Sequence, residues 1–276
     1  MHSAERKALV MSRGMSADPP AGSRLSSVRN AARLLKEFSR SDRELGVSQL
    51  ARRLGLAVST VHRLLSTLTD EGLLERGETP GTYRLGLQMY ELGVTVFPNL
   101  DLHAAARPVL ASLRHSTAET VQLSVLDHLE VVYLERLESP QTLRVFNRTG
   151  HRVPAHATST GKVLLAYLPP DVLNERLRDW QPAKMTPHTI VHKGALRAEL
   201  RRIAERGWAQ NVEESALGVA SVAAPVYDEG GSVIAAVSVV APLSRARQAL
   251  PRHRAAVVDA ARLISTQIGY RTNGDR

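Results

Sequence analysis

The stretch GLAVSTVHRLL, from Gly55 to Leu65, combines an apolar stripe with a polar surface of unusual composition. At 3.6 residues per turn, the inward side of a helix in this region would carry Val58, Val61, Leu64, Leu65 and Leu68. The outward side would carry one arginine among small polar residues, with a histidine at the margin: Ser59, Thr60, His62, Arg63, Ser66 and Thr67. Small hydroxyl side chains let a helix approach a DNA duplex, and an arginine can contact guanine or a phosphate. An ordinary amphipathic helix fits the same pattern, so this helix alone leaves both interpretations open.

A second short helix is predicted directly before this one, in VSQLARRLG at residues 47–55. Ser48 is a candidate N-cap, and Gly55 is expected to end the helix. Two short helices joined by a tight, glycine-containing turn predict a helix-turn-helix, and helical spacing over residues 28–38 adds a third helix. The first helix of such a motif crosses the DNA backbone, so Ser48 and Gln49 are candidate DNA contacts.

The segment EGLLERGETPGTYRLG, residues 71–86, predicts a β-hairpin directly after the helix-turn-helix. Proline followed by glycine at Pro80-Gly81 suits a type II turn between two short strands. Such a hairpin is the wing of a winged helix-turn-helix, and its candidate contacts to the DNA backbone are Arg76, Thr82 and Arg84. Three helices and a wing within about sixty residues favour DNA binding far more than the helix alone does.

The composition fits a nucleic-acid-binding protein with an aliphatic core. The net charge of +9 suits a DNA partner but is weak support by itself. The absence of cysteine excludes disulfides and cysteine-ligated metal sites, and it fits a cytoplasmic location. No apolar run has the length of a membrane span, and no signal peptide is apparent. Residues 1–23 are expected to form a flexible tail because they include the Pro/Gly/Ser-rich SADPPAGS.

The remaining two thirds of the chain alternate between predicted strands and helices. Strands mostly in hairpins with helices around them imply an α+β domain with an antiparallel sheet. Helices are predicted over residues 87–97, 102–117, 198–208 and 250–270. Pro98-Asn99 is expected to end the first of them, and Pro108 to start or kink the main part of the second. The predicted strands are residues 120–127 and 130–139, a hairpin around His128-Leu129, residues 142–150, and the pair 218–228 and 231–242.

The segment VPAHATSTGKVLLAYLP, Val153–Pro169, leads from a loop into a helix predicted over Lys162–Leu168. Hydroxyl residues crowd the start of this helix, where free backbone N–H groups attract anions: Thr158, Ser159 and Thr160. Ser159 and Lys162 also fit the Ser-x-x-Lys motif of serine acyl-enzymes, but the companion motifs Ser-Asp-Asn and Lys-Thr-Gly are missing. A Walker A loop fits less well still, because it lacks its first glycine and its Ser/Thr. A loop that holds a ligand is preferred over simple N-capping and over either enzyme.

His188 and His192 have the i, i+4 spacing of a metal-binding pair. The intervening Thr-Ile-Val disfavours a helix, and no glutamate follows the first histidine. We therefore expect a loop or edge strand without a metal ion, and no cofactor is expected elsewhere.

Three segments, in order, resemble the IclR-type family of bacterial transcriptional regulators. GLAVSTVHRLLSTLTDEGLLER with YRLG is similar to the DNA-binding domain of that family, and PAHATSTGKVLLAYLP to the loop that leads into a helix of its second domain. GWAQNVEESALGVASVAAPVYDEGGSVIAAVSVVAP is similar to the C-terminal signature. The resemblance extends from about Ser26 to the C-terminus.

The resemblance implies a winged helix-turn-helix domain over residues 24–86, a linker helix over 87–100, and a GAF-like effector-binding and oligomerisation domain with a curved antiparallel sheet over 101–276. It implies a homodimer or homotetramer, a small-molecule effector, and an effector cavity lined by Ser159, Thr160, Glu213, Glu214, Ser221 and Ser238. Thr158 in the same loop and Val240 in the last strand are added to this site. A near-palindromic duplex operator is expected because one short recognition helix contacts few bases and symmetry duplicates the contacts, and repression is preferred over activation. The hydroxyl residues at the helix start together with the apolar Val240 favour a small organic-acid or aromatic effector.

One departure from the family bears on the effector. Many members have Ser-x-Ser in the last strand, whereas this chain has Ser238-Val239-Val240, so a hydroxyl is missing and a strictly small, polar carboxylate is disfavoured. Two alternatives remain beside the ligand-responsive regulator. One is a serine hydrolase using Ser159 and Lys162, and the other is a regulator whose C-terminal domain only oligomerises.

Overall fold

The computed structural model of the 276-residue chain describes residues 25–38, 44–96, 100–143 and 152–271. The chain divides into two compact units, with the boundary between Val96 and Phe97. Three sequence-based predictions lie outside the described residues: the tail over 1–23, the break at Pro98-Asn99, and the strand over 142–150 apart from its first two residues.

The N-terminal unit is a winged helix-turn-helix. Its elements are α1 (Ser26–Glu37), β1 (Leu45–Gly46), α2 (Val47–Leu54), α3 (Val58–Asp70), β2 (Leu74–Arg76), β3 (Thr82–Leu85) and α4 (Leu87–Val96). The strands form an antiparallel sheet in the order β1-β3-β2. Gly55 ends α2 in the left-handed conformation at φ 67°, as predicted, and this turn redirects the chain into α3.

A single apolar cluster holds the N-terminal unit together. Leu34 of α1, Leu50 of α2 and Leu65 of α3 are fully buried, and Tyr83 of β3 joins them from the sheet. Burying a side chain of this size stabilises a fold by roughly 1.5–3 kcal/mol relative to leaving it exposed. The cluster therefore fixes α3 against α1, α2 and the sheet, and leaves the polar side of α3 outside.

Two predictions for this unit are wrong in detail. Ser48 is not the N-cap of α2, because the helix begins at Val47, directly after Gly46 in β1. Gly46 pairs with Thr82, so the chain passes from the sheet into the helix with no residue between them. Val58 is 55% exposed and does not belong to the core. It is the first residue of α3, and the apolar cluster begins at Val61, one turn further along.

The C-terminal unit is built on one six-stranded antiparallel sheet in the order β6-β5-β4-β9-β8-β7. Its strands are β4 (Thr120–Asp127), β5 (Glu130–Leu137), β6 (Arg152–Pro154), β7 (Ala209–Val212), β8 (Val219–Tyr227) and β9 (Val233–Pro242). Its helices are α5 (Leu100–Thr117), α6 (Ser159–Ala166), α7 (Pro170–Arg176), α8 (Lys193–Arg206) and α9 (Leu243–Gln267), and a 3₁₀ turn spans Ala155–Ala157. The predicted α+β class with an antiparallel sheet is confirmed.

The sheet buries both faces, and strand alternation decides which residue faces which side. Val121, Leu123 and Val239 lie on the face that packs against α5 and α9. Ala223 and Ala236 lie on the opposite face, against α6 and α8. This second face is where the segment Val153–Pro169 crosses the sheet.

Several boundaries in this unit differ from the predictions. Helix α6 begins at Ser159 rather than Lys162, so Ser159 and Thr160 lie in its first turn. Helix α9 begins at Leu243, because Ala246 buries its side chain against Ala220 and Ala241 before Pro251 is reached. Pro108 lies inside α5 and does not start it. The short elements β6, β7 and α7 were not predicted, since runs of three to seven residues carry little periodicity.

Candidate DNA-binding surface and effector cavity

The outward side of α3 presents the polar residues that the sequence singled out. Ser59, Thr60, His62, Arg63, Ser66 and Thr67 are all exposed. Thr60, Arg63 and Thr67 also border a groove of about 420 Å³ against α1. The Oγ1 of Thr67 donates to the carbonyl of Arg63 at 3.1 Å, so this hydroxyl is left to act as a hydrogen-bond acceptor. The helix therefore offers one flexible cation among short hydroxyl groups, without long side chains that would hold a duplex away.

The hairpin β2–β3 closes through the predicted turn. The N–H of Thr82 donates to the carbonyl of Thr79 at 3.1 Å, and Gly81 has φ 81°, as the third position of a type II turn requires. A residue without Cβ is needed there because L side chains are strained at that angle.

Glu44 holds the wing through its carboxylate, a role that no sequence pattern indicates. Its carboxylate accepts hydrogen bonds from the N–H of Glu78 at 2.7 Å, the N–H of Thr79 at 3.2 Å and the Oγ1 of Thr82 at 2.7 Å. These bonds favour the charged form and hold the pKa of Glu44 at about 2. Glu44 lies more than thirty residues before its partners, so no local pattern marks it.

Contacts within the N-terminal unit occupy part of the predicted wing surface. Besides the hydroxyl of Thr82, the Nε of Arg84 donates to Glu75 at 2.7 Å. Arg76 is exposed, with its guanidinium 4.8 Å from the ring centroid of Tyr83. Ser48 is exposed at the start of α2, and Gln49 beside it is half-buried. Of the wing residues, Arg76 presents its charge most freely, whereas an acidic neighbour balances that of Arg84.

A cavity of about 190 Å³ lies on the α6 side of the large sheet. Six of the eight residues predicted for an effector site border it: Thr158, Ser159, Thr160, Ser221, Ser238 and Val240. The rest of the described lining is Gln122, Tyr133, Val153, Met185, Asn211, Ser215, Ala216 and Val219. The described lining residues include no charged side chain, so an ionic ligand would meet neutral hydrogen-bond donors in this cavity.

The start of α6 supplies donors to this cavity. Thr158 is the N-cap, and its Oγ1 accepts from the N–H of Gly161 at 3.0 Å. The N–H groups of Ser159 and Thr160 belong to the first turn of a helix, where no intrahelical acceptor exists. Gly161 allows this arrangement, because a Cβ there would lie 2.2 Å from the carbonyl oxygen of Ala155. The Oγ of Ser159 lies 2.7 Å from the Oγ of Ser221, which links α6 to β8.

Glu213 and Glu214 do not border the cavity. The Oε1 of Glu213 accepts from the N–H of Gly218 at 2.7 Å and so closes the turn before β8. The Oε1 of Glu214 lies 2.5 Å from the Nζ of Lys162, which is 2% exposed. Burial raises the pKa of Glu214, although the charge of Lys162 opposes this shift.

The same ion pair bears on the hydrolase alternative. A general base next to Ser159 would need a free lone pair, and an ammonium group that is ion-paired to a carboxylate has none. The hydroxyl of Ser159 meets Ser221, whereas Lys162 points to Glu214. The geometry therefore indicates that Lys162 holds α6 in place through its ion pair with Glu214.

The most informative residue missed by the sequence reading is Gln122. Strand β4 alternates between Thr120, Gln122 and Ser124 on one face and Val121 and Leu123 on the other, and all five are buried. The alternation in TVQLSV marks a polar face, but such a face ordinarily meets solvent, so only the structure shows that it is buried and borders a cavity. Asn211 carried no such signal. Its Nδ2 donates to the carbonyl of Ala157 at 3.2 Å, so it positions the turn that precedes α6.

His188 and His192 lie in the segment that leads into α8, outside helices and strands. Across the described part of the chain, no group of three or more His, Asp or Glu residues is arranged to hold a metal ion. Among the described helices, none combines the length and the hydropathy needed to cross a membrane.

A winged helix-turn-helix followed by a domain with a donor-lined cavity defines a class of protein, the one-chain transcription regulators that bind DNA and a small molecule. Comparison with known proteins identifies the family. The model of the IclR helix-turn-helix domain matches residues 27–78, and that of the bacterial transcriptional regulator IclR C-terminal domain matches residues 94–266. The chain belongs to the IclR family.

Relatives and a solved structure agree with this assignment. The chain is 35% identical to the HTH-type transcriptional regulator XynR of Escherichia coli, over 89% of this chain and 98% of XynR. It is 34% identical to the regulator KdgR of Escherichia coli, over 83% of this chain and 88% of KdgR. The crystal structure of an IclR homologue from Microbacterium hydrocarbonoxydans, in complex with 4-hydroxybenzoate, has a TM-score of 0.77 and 32% identity, covering 88% and 99% of the two chains.

The family confirms several predictions. The fold class, a winged helix-turn-helix joined to a GAF-like domain with a curved antiparallel sheet, is confirmed. The chain is a DNA-binding transcriptional regulator rather than an enzyme, so the serine hydrolase alternative is not supported. The individual DNA-contacting and effector-contacting residues stay predictions.

Proposed function

We propose that this regulator binds a near-palindromic operator as a homodimer or homotetramer, represses transcription from it in the cytoplasm, and changes its operator affinity when a small organic acid occupies the cavity. The observation that carries the proposal is the cavity itself, which meets the start of α6 and brings six predicted residues together. A domain that served only to oligomerise would have no need of a cavity lined by hydroxyl groups.

The operator geometry follows from the size of α3. One recognition helix contacts only a few base pairs, and two-fold symmetry duplicates those contacts on a palindromic site. Residues 24–86 act as the DNA-binding domain and residues 101–276 as the effector-binding and oligomerisation domain. Residues 87–100, which include α4, connect them and transmit the difference between ligand-bound and ligand-free forms.

The effector follows from the chemistry of the lining. The N–H groups at the start of α6 and the hydroxyls of Thr158, Ser159 and Thr160 suit a carboxylate, which the helix dipole stabilises. Val153, Val219 and Val240 supply apolar contact for a hydrocarbon or aromatic body. A cavity of about 190 Å³ is smaller than the ~300–1,000 Å³ that drug-sized ligands occupy. A monocyclic aromatic acid meets these requirements of size, charge and apolar contact. The first probe is 4-hydroxybenzoate, the ligand of the Microbacterium homologue.

Ser159→Ala is expected to weaken binding of 4-hydroxybenzoate by about 1 kcal/mol, roughly fivefold, because one hydrogen bond to the carboxylate is lost. Operator affinity without the acid should not change, since Ser159 lies in the C-terminal unit. Calorimetry gives the first quantity and fluorescence anisotropy of a labelled duplex the second.

Ser232→Ala, an exposed serine in the β8–β9 turn, is the matched control and should behave as the wild type in both assays. Equal acid affinity in Ser159→Ala and wild type would remove Ser159 from the site. Loss of operator binding in the absence of acid would make Ser159 a structural residue instead.

A further inference from the structure

Gln122 is the cavity residue whose hydrogen bonding is incomplete. It is 2% exposed on β4 and borders the cavity. Its Oε1 accepts from the Oγ of Ser238 at 3.4 Å, whereas its Nε2 is buried and has no hydrogen-bond partner among the described residues. Buried amide donors are almost always satisfied in folded proteins, because an unpaired one is destabilising. Because Gln122 borders the cavity, an acceptor atom of a bound ligand is a candidate partner for this donor.

The sheet places Gln122 at a distance from the helix start. Gln122 pairs with Ser238 on β9, and β9 separates β4 from β8, which carries Ser221 under Ser159. The residue of β8 in line with Gln122 and Ser238 is Ala223, two positions from Ser221. Two strand spacings of about 4.8 Å and two residues along β8 therefore put the Cα of Gln122 about 12 Å from that of Ser221. The described lining is therefore polar at two ends, with the hydroxyls of α6 and β8 at one end and Gln122 with Ser238 at the other.

The two ends differ in what they can hold. The α6 end gathers several N–H and hydroxyl donors, together with a helix dipole that favours an anion. The Gln122 end offers one neutral amide donor and one hydroxyl. The cation beside Gln122 in the sheet, Arg136 on β5, is 9% exposed and does not border the cavity, so a ligand at this end would meet neutral donors. The free-energy cost of desolvating a second carboxylate at this end would not be compensated by neutral donors alone. The smaller cost of desolvating a hydroxyl or carbonyl oxygen can be offset by one hydrogen bond.

We propose that Gln122 determines effector specificity by donating from Nε2 to a neutral oxygen that lies across a ring or short chain from the carboxylate held at α6. The effector class is then a monocarboxylic acid with a distal hydroxyl or carbonyl group. This inference rests on the proposed function and narrows it. It also assigns a role to β4, which the predicted site did not include.

The test compares two acids that differ by one oxygen, benzoate and 4-hydroxybenzoate, in calorimetry on the full-length protein. The wild type is expected to bind 4-hydroxybenzoate about tenfold more tightly than benzoate, because only the hydroxylated acid reaches Gln122. Gln122→Met keeps the length of the side chain but removes the donor, so it should bind the two acids with nearly equal affinity. Ser159→Ala, which acts on the shared carboxylate, should weaken both and keep the tenfold preference.

The outcomes separate this inference from the function on which it rests. A wild type that binds both acids equally, or a Gln122→Met variant that keeps the preference, overturns the role of Gln122 while the cavity remains the effector site. Failure of both acids to bind the wild type overturns the aromatic-acid effector and this inference with it. Tryptophan fluorescence checks that Gln122→Met is folded, and Gln122→Leu replaces it in the same comparison if it is not.

Discussion

Lys162→Met is expected to lower the free energy of unfolding of the C-terminal unit by about 3–5 kcal/mol, because it leaves Glu214 buried without its cation. Lys162 is 2% exposed, the side chain of Glu214 is 12% exposed, and their charged atoms are 2.5 Å apart. The Oε2 of Glu214 is itself buried without a partner among the described residues, so Lys162 is the main compensation for that carboxylate. Urea unfolding followed by tryptophan fluorescence measures the loss, since both tryptophans, Trp180 and Trp208, lie in this unit.

The pH dependence of the loss has a definite sign. Burial raises the pKa of Glu214, so the folded protein holds a proton there at a pH where the unfolded chain has released it. Removing Lys162 removes the opposing charge and raises this pKa further. The stability contributed by a group whose pKa is raised in the folded state falls as the pH rises. Lys162→Met should therefore lose more free energy of unfolding at pH 8 than at pH 5.

The double variant Lys162→Met with Glu214→Leu is the control for this prediction. It removes both charges and leaves no buried group unpaired, so most of the lost stability should return. If the single variant is as stable as the wild type, the pair does not hold α6 in place. If the double variant is no more stable than the single one, the loss comes from packing around Lys162 rather than from charge.

Arg63→Ala is expected to weaken operator binding by ~1–3 kcal/mol for each recognition helix that contacts the duplex. Arg63 is the only Arg or Lys within α3, and it stands at the centre of the exposed side that Ser59 and Ser66 flank. A homodimer loses the contact twice, which makes this the largest expected effect on DNA binding. The duplex is one selected from a random pool by the wild-type protein, and the affinity is measured by fluorescence anisotropy at one fixed salt concentration, because phosphate contacts are salt-dependent.

Arg202→Ala is the matched control for the loss of a positive charge. Arg202 lies on α8 in the C-terminal unit, with its side chain 66% exposed, and its removal should leave operator affinity nearly unchanged. Equal affinities for Arg63→Ala and wild type, with the fold intact, would place the DNA-binding surface elsewhere than on this side of α3. Equal losses in Arg63→Ala and Arg202→Ala would show that only net charge matters.

The sequence predicted the elements whose signals are local. The stripe Val61, Leu65 and Leu68 marks the buried side of α3, and Pro80-Gly81 marks the turn of the wing. Each signal lies within a few residues of the structure it produces, so periodicity and turn chemistry suffice to find it. The same holds for the hydroxyl residues at the start of α6, although their helix begins earlier than the sequence indicated.

The missed features depend on residues that are far apart in the chain. Glu44 meets the wing more than thirty residues later, and Lys162 meets Glu214 fifty-two residues later. Neither pairing can be read from composition, because many carboxylates and cations of the chain could have been partners. Sequence reasoning placed Glu214 in the effector site on resemblance alone, whereas its ion pair with Lys162 commits it to the fold. Gln122 is the intermediate case, since strand alternation marked its face as polar but could not show that this face is buried or what it encloses.

Coupling between operator binding and acid binding in one chain can be measured directly. The operator dissociation constant is determined by fluorescence anisotropy with and without 4-hydroxybenzoate at a concentration that saturates the site by calorimetry. We expect the operator dissociation constant to change about 5- to 150-fold, the usual range for coupled sites, and the acid affinity to change by the same factor when operator is present. An operator dissociation constant that stays the same while the acid is bound would contradict it.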